Sequence, residues 1–338
     1  MLKISFILPC YNTGKYLCQC VESLLVQGFD KDEYEIICVD NAATDNTAEL
    51  LKEMSVRYPE VKVVTLPVNK CSGGAYNAGL EVAQGKYIQF VDSDDYLKEG
   101  AALLLYQQTE KENLDVLYFN IETFKGELEL TFQDNLSCNG NYPDRFYAEN
   151  GNDYLKKALN FLPYSALPVP AYRKMIRRSV LIDNNIYFTP TTFGCDYLHN
   201  QQLLSYAKRI GVNTEKYYMF RNNPKGVTNS PFSANAIIYA LNNYSQAYKE
   251  VSETPFDEDI KHQLTINNRA LLDSFVGAMK YIAYAERTSV IRGLKDYALL
   301  KSLPHSYINT ALLTNGFVSR FLLKSSMLRK VSEIRRLF

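Results

Sequence analysis

Five short apolar segments, separated by stretches with helical spacing, dominate the first 120 residues of this chain. The segments are residues 4–8, 34–39, 61–66, 87–91 and 116–119. Between the first two, apolar residues recur at helical intervals, as at Leu17, Val21 and Leu24. Strands that are apolar without interruption are typical of a sheet covered on both faces. Their alternation with helices predicts an α/β fold with a doubly wound, mostly parallel sheet.

The composition argues against several classes of protein. The 338 residues carry no formal net charge, so no global field favours a nucleic acid as partner. Seven cysteines without a CxxC pair, together with only three histidines, argue against a disulfide framework and a zinc site. The sequence has neither a signal-peptide pattern nor an apolar run of about 18 residues. We therefore expect a cytoplasmic protein, either soluble or peripheral on the inner face of the membrane.

An acidic stretch follows the apolar segment 87–91. Asp92, Asp94 and Asp95 place three carboxylates within four residues, where they repel one another and lose solvation. A divalent cation relieves both costs, and Mg²⁺ or Mn²⁺ prefers carboxylate oxygen and keeps positions open for substrate phosphates. The stretch therefore predicts a metal–diphosphate site. The alternative is a solvated acidic turn that caps the next helix.

Polar and aromatic residues also follow the first two predicted strands. Tyr11 comes after the first strand and Asp40 ends the second, so a parallel sheet brings them to one crevice. The Tyr11 ring can stack on a nucleobase, and Asp40 can accept a hydrogen bond from a base or a ribose hydroxyl. A packed tyrosine and a capping aspartate are the alternatives, and the residues alone do not separate the two interpretations.

The pattern changes after residue 120. We expect an exposed strand over 127–132, a basic helix over 172–184, a turn at 194–197 that carries Asp196, and a strand over 215–220 followed by a polar loop. From residue 232 the spacing is helical throughout. We therefore predict two domains, residues 1–231 and 232–338.

Several ordered motifs resemble glycosyltransferase family 2, whose members have the GT-A fold. Residues 6–12 (FILPCYN) and 23–27 (SLLVQ) resemble the opening strand and first helix of that family. Further motifs are 35–40 (EIICVD) with 44–47 (TDNT), 77–80 (NAGL), 83–88 (AQGKYI), 92–95 (DSDD), 174–178 (KMIRR) and 217–221 (YYMFR). The resemblance covers roughly residues 1–230.

The resemblance implies a role for individual residues. Asp94, with Asp92 beside it, is implied to bind Mn²⁺ or Mg²⁺, and Asp196 is implied to be the general base. Arg221 or Lys225 is expected to lie on a mobile loop and to add charge at the leaving group, since such loops commonly close over the donor. The residues implied to bind the nucleotide and the donor sugar are Pro9, Tyr11, Asn12, Asp40, Asn77, Asp92, Ser93, Asp95 and Arg221. For Asp95 two roles stay open, a place facing the donor sugar or support of the acidic turn.

Three positions depart from the family pattern. Asn41 replaces the second aspartate of a D-D-G-S turn, whose glycine is also absent. Tyr76 stands where the family often has arginine, which removes a nucleotide contact. Cys195 stands where glutamate usually precedes the catalytic aspartate. These departures leave open a catalytically silent relative that acts as a partner subunit.

The resemblance implies an inverting, metal-dependent glycosyltransferase. Its donor is expected to be a nucleotide-diphosphate sugar, with family analogy favouring a UDP-sugar, and its acceptor a glycan or a lipid-linked glycan of a surface polysaccharide. A sugar-phosphate nucleotidyltransferase is a further alternative. Residues 317–338 combine apolar residues at helical spacing with six basic residues and one acid, Glu333. This pattern indicates contact with an anionic membrane surface or docking on the catalytic domain or a second subunit.

Overall fold

The computed structural model describes residues 2–125, 129–131, 145–161, 170–223, 226 and 233–278. The chain divides into two compact units. The first comprises Met1–Thr191 and His199–Pro224, and the second comprises Thr192–Leu198 and Lys225–Phe338. The domain boundary expected between residues 231 and 232 remains a prediction.

The first unit is built on one sheet. Its strands are β1 (Ile4–Cys10), β2 (Tyr34–Asp40), β3 (Val61–Thr65), β4 (Tyr87–Phe90), β5 (Tyr96–Leu97), β6 (Val116–Lys125), β7 (Glu129–Thr131), β8 (Arg145–Ala148), β9 (Lys174–Arg177) and β10 (Ile210–Arg221). The order in the sheet is β3-β2-β1-β4-β9-β6-β10-β5, with β7 paired to β6 and β8 to β10. The predicted strands 4–8, 34–39, 61–66, 87–91 and 116–119 correspond to β1, β2, β3, β4 and the start of β6.

The parallel part of the sheet brings the ends of three strands together. β1 lies between β2 and β4, with Cys10 opposite Asp40 and Ile7 opposite Phe90. Val91 N donates to the Ile7 carbonyl at 3.0 Å, which continues the ladder beyond β4. The residues that follow these strands therefore meet at one edge of the sheet, where ligands of open α/β sheets bind.

Helices cover both faces of this sheet. They are α1 (Gly14–Leu25), α2 (Thr47–Arg57), α3 (Cys71–Val82), α4 (Ala101–Lys111), α5 (Gly151–Phe161), α6 (Arg178–Asp183) and α7 (Cys195–Tyr206). Leu17, Val21 and Leu24 of α1 belong to the core cluster that packs on Phe6 and Leu8. On the other face, a side chain at Gly79 of α3 would lie 2.3 Å from an Ile7 methyl group. This glycine therefore lets α3 approach β1 closely.

The predicted basic helix over residues 172–184 is wrong. Residues 174–177 form β9, and α6 begins only at Arg178. β9 lies antiparallel between β4 and β6 and connects the two parallel parts of the sheet. Met175 and Ile176 are both fully buried. Pairing on two sides and burial of both faces outweigh the local helical pattern here.

Two further boundaries differ from the prediction, and both concern candidate site residues. β10 is longer than the predicted strand 215–220 because it pairs with β6 along its length, so Arg221 ends a strand. The predicted loop therefore begins later. α7 begins at Cys195, so Asp196 lies in the first turn of a helix and not in the preceding turn. The predicted strand over 127–132 lies partly outside the described residues.

The described part of the second unit is largely helical, as predicted. Its two long helices are α8 (Ala234–Glu250) and α9 (Glu258–Ala278), and they pack against each other. Ser233 begins α8 by accepting a hydrogen bond from Ala236 N at 3.2 Å. Within the ranges given above, no helix is long and apolar enough to cross a membrane.

Candidate active site

The acidic turn, residues 92–95, follows β4 at the carboxyl edge of the parallel strands. Asp95 N donates to the Asp92 carbonyl at 3.0 Å and closes the turn. Asp92 and Asp94 are partly exposed, whereas Asp95 is only 1% exposed and Ser93 is buried. The alternation along the turn therefore separates two carboxylates near the surface from one inside the protein.

Asp95 is held from within the sheet by β10. The Tyr218 hydroxyl donates to Asp95 Oδ2 at 2.7 Å, and Arg221 N donates to Asp95 Oδ1 at 2.7 Å. Burial, reinforced by the neighbouring charges of Asp94 and Asp92, raises the pKa of Asp95 well above its usual range. Asp95 therefore supports the turn, which is one of its two expected roles. A contact between Asp95 and the donor sugar remains a prediction.

The two outer carboxylates each accept a hydrogen bond from a neutral donor. The Tyr76 hydroxyl on α3 donates to Asp92 Oδ1. Asn223 Nδ2 donates to Asp94 Oδ2 at 2.9 Å. Because both donors are neutral, they orient the carboxylates without adding a compensating positive charge.

Arg221 does not lie on the predicted mobile loop. Its Nε donates to the Asp94 carbonyl at 2.7 Å and its Nη2 to Gln19 Oε1 at 2.5 Å. Its guanidinium lies 4.6 Å from the ring centres of both Tyr16 and Phe124, and the residue is buried. These contacts fix the backbone of the acidic turn.

The residues predicted to hold a nucleoside lie at the same edge. Ser93 Oγ donates to the Pro9 carbonyl at 2.7 Å, which ties the acidic turn to β1. Tyr11 is exposed, and Asn12 Oδ1 accepts a hydrogen bond from Thr44 N at 2.8 Å. Asp40 is buried and accepts a hydrogen bond from Ala43 N. The structure therefore brings Pro9, Tyr11, Asn12 and Asp40 together with the turn.

Asn41 connects the two loops that follow β2 and β3. Its Nδ2 donates to the Cys71 carbonyl at 3.1 Å and to Asn69 Oδ1 at 3.3 Å, while its Oδ1 accepts a hydrogen bond from Lys70 N at 2.8 Å. An amide can donate and accept at once, which a carboxylate cannot. The departure from a second aspartate is thus explained by a bridge within the protein. The neighbouring Ala42 adopts a φ of 59° in place of the absent glycine.

Asn77 holds a segment that leads toward α7. Its Nδ2 donates to the Phe188 carbonyl at 2.7 Å, and its Oδ1 accepts a hydrogen bond from Phe188 N at 2.9 Å. Both ends of the amide therefore bind the backbone of one residue. Its predicted contact with the donor remains a prediction.

Asp196, the predicted base, belongs to the second unit. It is partly buried, and the preceding Cys195 is only 2% exposed. In the same unit, Asn243 Nδ2 donates to the Phe193 carbonyl at 2.7 Å, and the rings of Tyr197 and Tyr244 pack edge to face at 5.4 Å. These contacts hold the start of α7 against α8.

The donor set fits a divalent cation that is shared with a substrate. The described residues contain no group of three or more His, Cys, Asp or Glu side chains arranged to hold a metal. Asp92 and Asp94 nevertheless offer hard carboxylate oxygens near the surface. Mg²⁺ is typically bound by one or two carboxylates together with substrate phosphates, so two carboxylates are compatible with such a cation.

Comparison with protein families gives one matching model. The model of glycosyl transferase family 2 matches residues 5–184. A poly(ribitol-phosphate) beta-glucosyltransferase of Bacillus spizizenii is 28% identical over 222 residues, which are 65% of this chain and 32% of that protein. The poly(ribitol-phosphate) beta-N-acetylglucosaminyltransferase TarP of Staphylococcus aureus is 27% identical over 277 residues, 78% of this chain and 77% of that protein. The chain spans about a third of the length of the first of these relatives.

Solved structures share the fold. The crystal structure of residues 1–349 of S. aureus TarS in complex with UDP-GlcNAc has a TM-score of 0.71 and 23% sequence identity, covering 90% of this chain and 82% of that chain. The mannosyltransferase PcManGT from Pyrobaculum calidifontis, in complex with GDP-Man and Mn²⁺, has a TM-score of 0.54 and 13% identity, covering 92% of this chain and 86% of that chain. The predicted α/β fold of GT-A type is therefore confirmed.

Substitution of Asn41 by aspartate tests the bridge between the two loops. The change removes both Nδ2 donors and buries a carboxylate beside the Cys71 carbonyl. We expect the free energy of unfolding in urea to fall by about 1–3 kcal/mol. The matched control is Asn69→Asp, because Asn69 uses its Oδ1 as an acceptor for Cys71 N and Asn41, and a carboxylate keeps that role. Equal stability of the two variants would contradict the bridge.

Proposed function

Because the chain belongs to glycosyl transferase family 2, we propose that it transfers a sugar from a nucleotide-diphosphate sugar to a hydroxyl group of a glycan or a lipid-linked glycan. The observation that carries this proposal is the acidic turn, whose Asp92 and Asp94 follow β4 at the same edge of the sheet as Tyr11 and Asp40. Such an edge can hold a nucleoside and its diphosphate side by side.

The donor proposed is a UDP-sugar and the product a surface polysaccharide. The support is the UDP-GlcNAc bound in the S. aureus TarS complex and the poly(ribitol-phosphate) in the names of the related transferases. Asp40 can accept a hydrogen bond from the base or the ribose, and the exposed Tyr11 ring can stack on the base. Pro9 and Asn12 shape the turn that carries Tyr11.

The proposed reaction is a single displacement with inversion at the anomeric carbon. The acceptor oxygen forms a bond to that carbon while the bond from the carbon to the diphosphate oxygen breaks. Asp196 takes the proton from the acceptor hydroxyl, and the bond electrons leave with the nucleoside diphosphate. Asp94 and Asp92 are the residues proposed to hold Mn²⁺ or Mg²⁺, which supplies positive charge at the leaving diphosphate when bound.

The remaining predicted donor residues are proposed to act through the turn. Ser93 binds the Pro9 carbonyl of β1 and Asp95 binds Arg221 N of β10, so both anchor the turn to the sheet. Arg221 Nε binds the turn at the Asp94 carbonyl, and Asn77 binds the Phe188 segment. Ser93, Asp95 and Arg221 therefore help to fix the positions of Asp92 and Asp94, and Asn77 helps to fix the position of the Phe188 segment.

The release of nucleoside diphosphate tests the proposal. The purified chain is incubated with a panel of nucleotide sugars, an acceptor glycan and Mn²⁺ or Mg²⁺. We expect metal-dependent release of UDP. Asp94→Ala should abolish metal-dependent donor binding, whereas Asp196→Asn should bind the donor and lose transfer by roughly 100-fold or more. Asp32→Ala, at an exposed position, is the control for a lost carboxylate.

Each alternative has its own outcome in this assay. Release of pyrophosphate would indicate a sugar-phosphate nucleotidyltransferase. Donor binding without turnover on any acceptor would favour a catalytically silent partner subunit. Full turnover by Asp196→Asn would remove Asp196 from the role of base.

Residues 317–338 lie outside the described residues, and their partner is proposed from the sequence. We propose that they bind the anionic inner face of the membrane, where lipid-linked acceptors reside. The basic residues are Arg320, Lys324, Arg329, Lys330, Arg335 and Arg336.

Co-sedimentation with vesicles tests this contact. The full chain should bind vesicles of anionic lipid, and replacement of these six residues by glutamine should reduce the bound fraction to that found with zwitterionic vesicles. Equal binding by both chains would exclude the membrane contact and favour docking of this segment on the chain itself or on a second copy.

A further inference from the structure

Tyr76 links α3 to the acidic turn. Its hydroxyl donates to Asp92 Oδ1, and its side chain is only 3% exposed. In the sequence, Tyr76 stands at a position where the family often has arginine. In the structure it is a specific donor to the first carboxylate of the turn.

The ring of Tyr76 is held by aromatic neighbours. Its centre lies 4.8 Å from that of Phe90, in an edge-to-face arrangement, and 5.0 Å from that of Phe188. Phe90 ends β4, the strand that leads into Asp92. The ring therefore packs against the same strand whose next residues form the acidic turn.

Phe188 is itself fixed on two sides. The Asn77 amide forms hydrogen bonds with both the N–H and the carbonyl of Phe188. The Phe188 ring stacks on the buried His199 ring, with the ring centres 3.8 Å apart. Close packing of this kind leaves Tyr76 little rotamer freedom. The position of its hydroxyl is thus set before any ligand binds.

The chemistry of the donor group matters as much as its position. A guanidinium at this place would pair with Asp92 and offset its charge, whereas a phenol donates one hydrogen bond and stays neutral. The hydrogen bond from Tyr76 therefore orients the Asp92 carboxylate without adding a positive charge to it. A neutral donor is the better choice for a carboxylate that must bind a cation.

We propose that Tyr76 is a positioning residue that orients Asp92 toward the donor nucleotide and its cation. This proposal rests on the proposed function, because it assumes that a nucleoside diphosphate binds at the acidic turn. In this role Tyr76 acts through the Asp92 carboxylate and not on the reacting atoms.

Tyr76→Phe removes the hydroxyl and keeps the ring. The matched control is Tyr87→Phe, because Tyr87 is a fully buried tyrosine on β4 whose hydroxyl donates to a carboxylate, Glu110 Oε1, at 2.6 Å. Thermal unfolding without ligand compares the stability cost of the two changes. We expect similar losses in melting temperature, since each variant loses a partly buried hydrogen bond from a hydroxyl group to a carboxylate.

Calorimetric titrations then separate positioning from stability. UDP is titrated with and without Mn²⁺, and Mn²⁺ is titrated alone. Loss of an outer partner of a metal-binding side chain typically costs roughly 10- to 100-fold in affinity, and we expect a loss of this size for Tyr76→Phe in UDP binding with Mn²⁺. If Tyr76→Phe also weakens UDP binding in the absence of Mn²⁺, the oriented carboxylate binds the ribose as well as the cation. In steady-state assays the KM for donor should rise with little change in kcat.

Failure of the positioning role can be distinguished from failure of the proposed function. If wild-type protein binds UDP with Mn²⁺ and Tyr76→Phe binds as tightly as Tyr87→Phe, the positioning role is overturned. If the wild-type protein itself binds no nucleoside diphosphate, the proposed function fails and the positioning role fails with it.

Discussion

Three carboxylates lie within four residues at the end of a buried strand, where they repel one another. The structure lowers this repulsion by burying one of them and keeping the other two near the surface. Asp95 points inward and is held by the Tyr218 hydroxyl and the backbone of Arg221. Asp92 and Asp94 remain near the surface, each oriented by a neutral donor. Partners from α3 and β10 thereby oppose the repulsion that would otherwise open the turn.

This arrangement explains why distant parts of the chain are needed at one site. β10 is far from residues 92–95 in sequence, yet Arg221 Nε binds the Asp94 carbonyl and Asn223 binds the Asp94 carboxylate. The order β4-β9-β6-β10, with β5 pairing β10, brings the end of β10 next to the acidic turn. The long β10 strand is therefore part of the support of the site, and not only the closing strand of the sheet.

Much of the fold could be predicted from the sequence, because uninterrupted apolar strands alternating with helices leave few alternatives for the first 120 residues. β9 could not, since residues 174–177 become a strand only through pairing with β4 and β6. At the site, the type and order of residues pointed to Asp92, Asp94 and Asp40. Asn223 carried no local signal, Tyr218 lay in the motif 217–221 without a predicted role, and Asn41 and Tyr76 were noted only as departures. Their roles depend on which loops the sheet brings together, which no local pattern contains.

Binding of a cation and a diphosphate at the acidic turn can be tested with a crystal structure of the chain with UDP and Mn²⁺, recorded with the anomalous signal of manganese. We expect a manganese peak against the Asp92 and Asp94 carboxylates and the diphosphate oxygens, with the nucleoside beside Tyr11 and Asp40. A nucleotide bound away from this edge, or a manganese ion that contacts neither carboxylate, would contradict it.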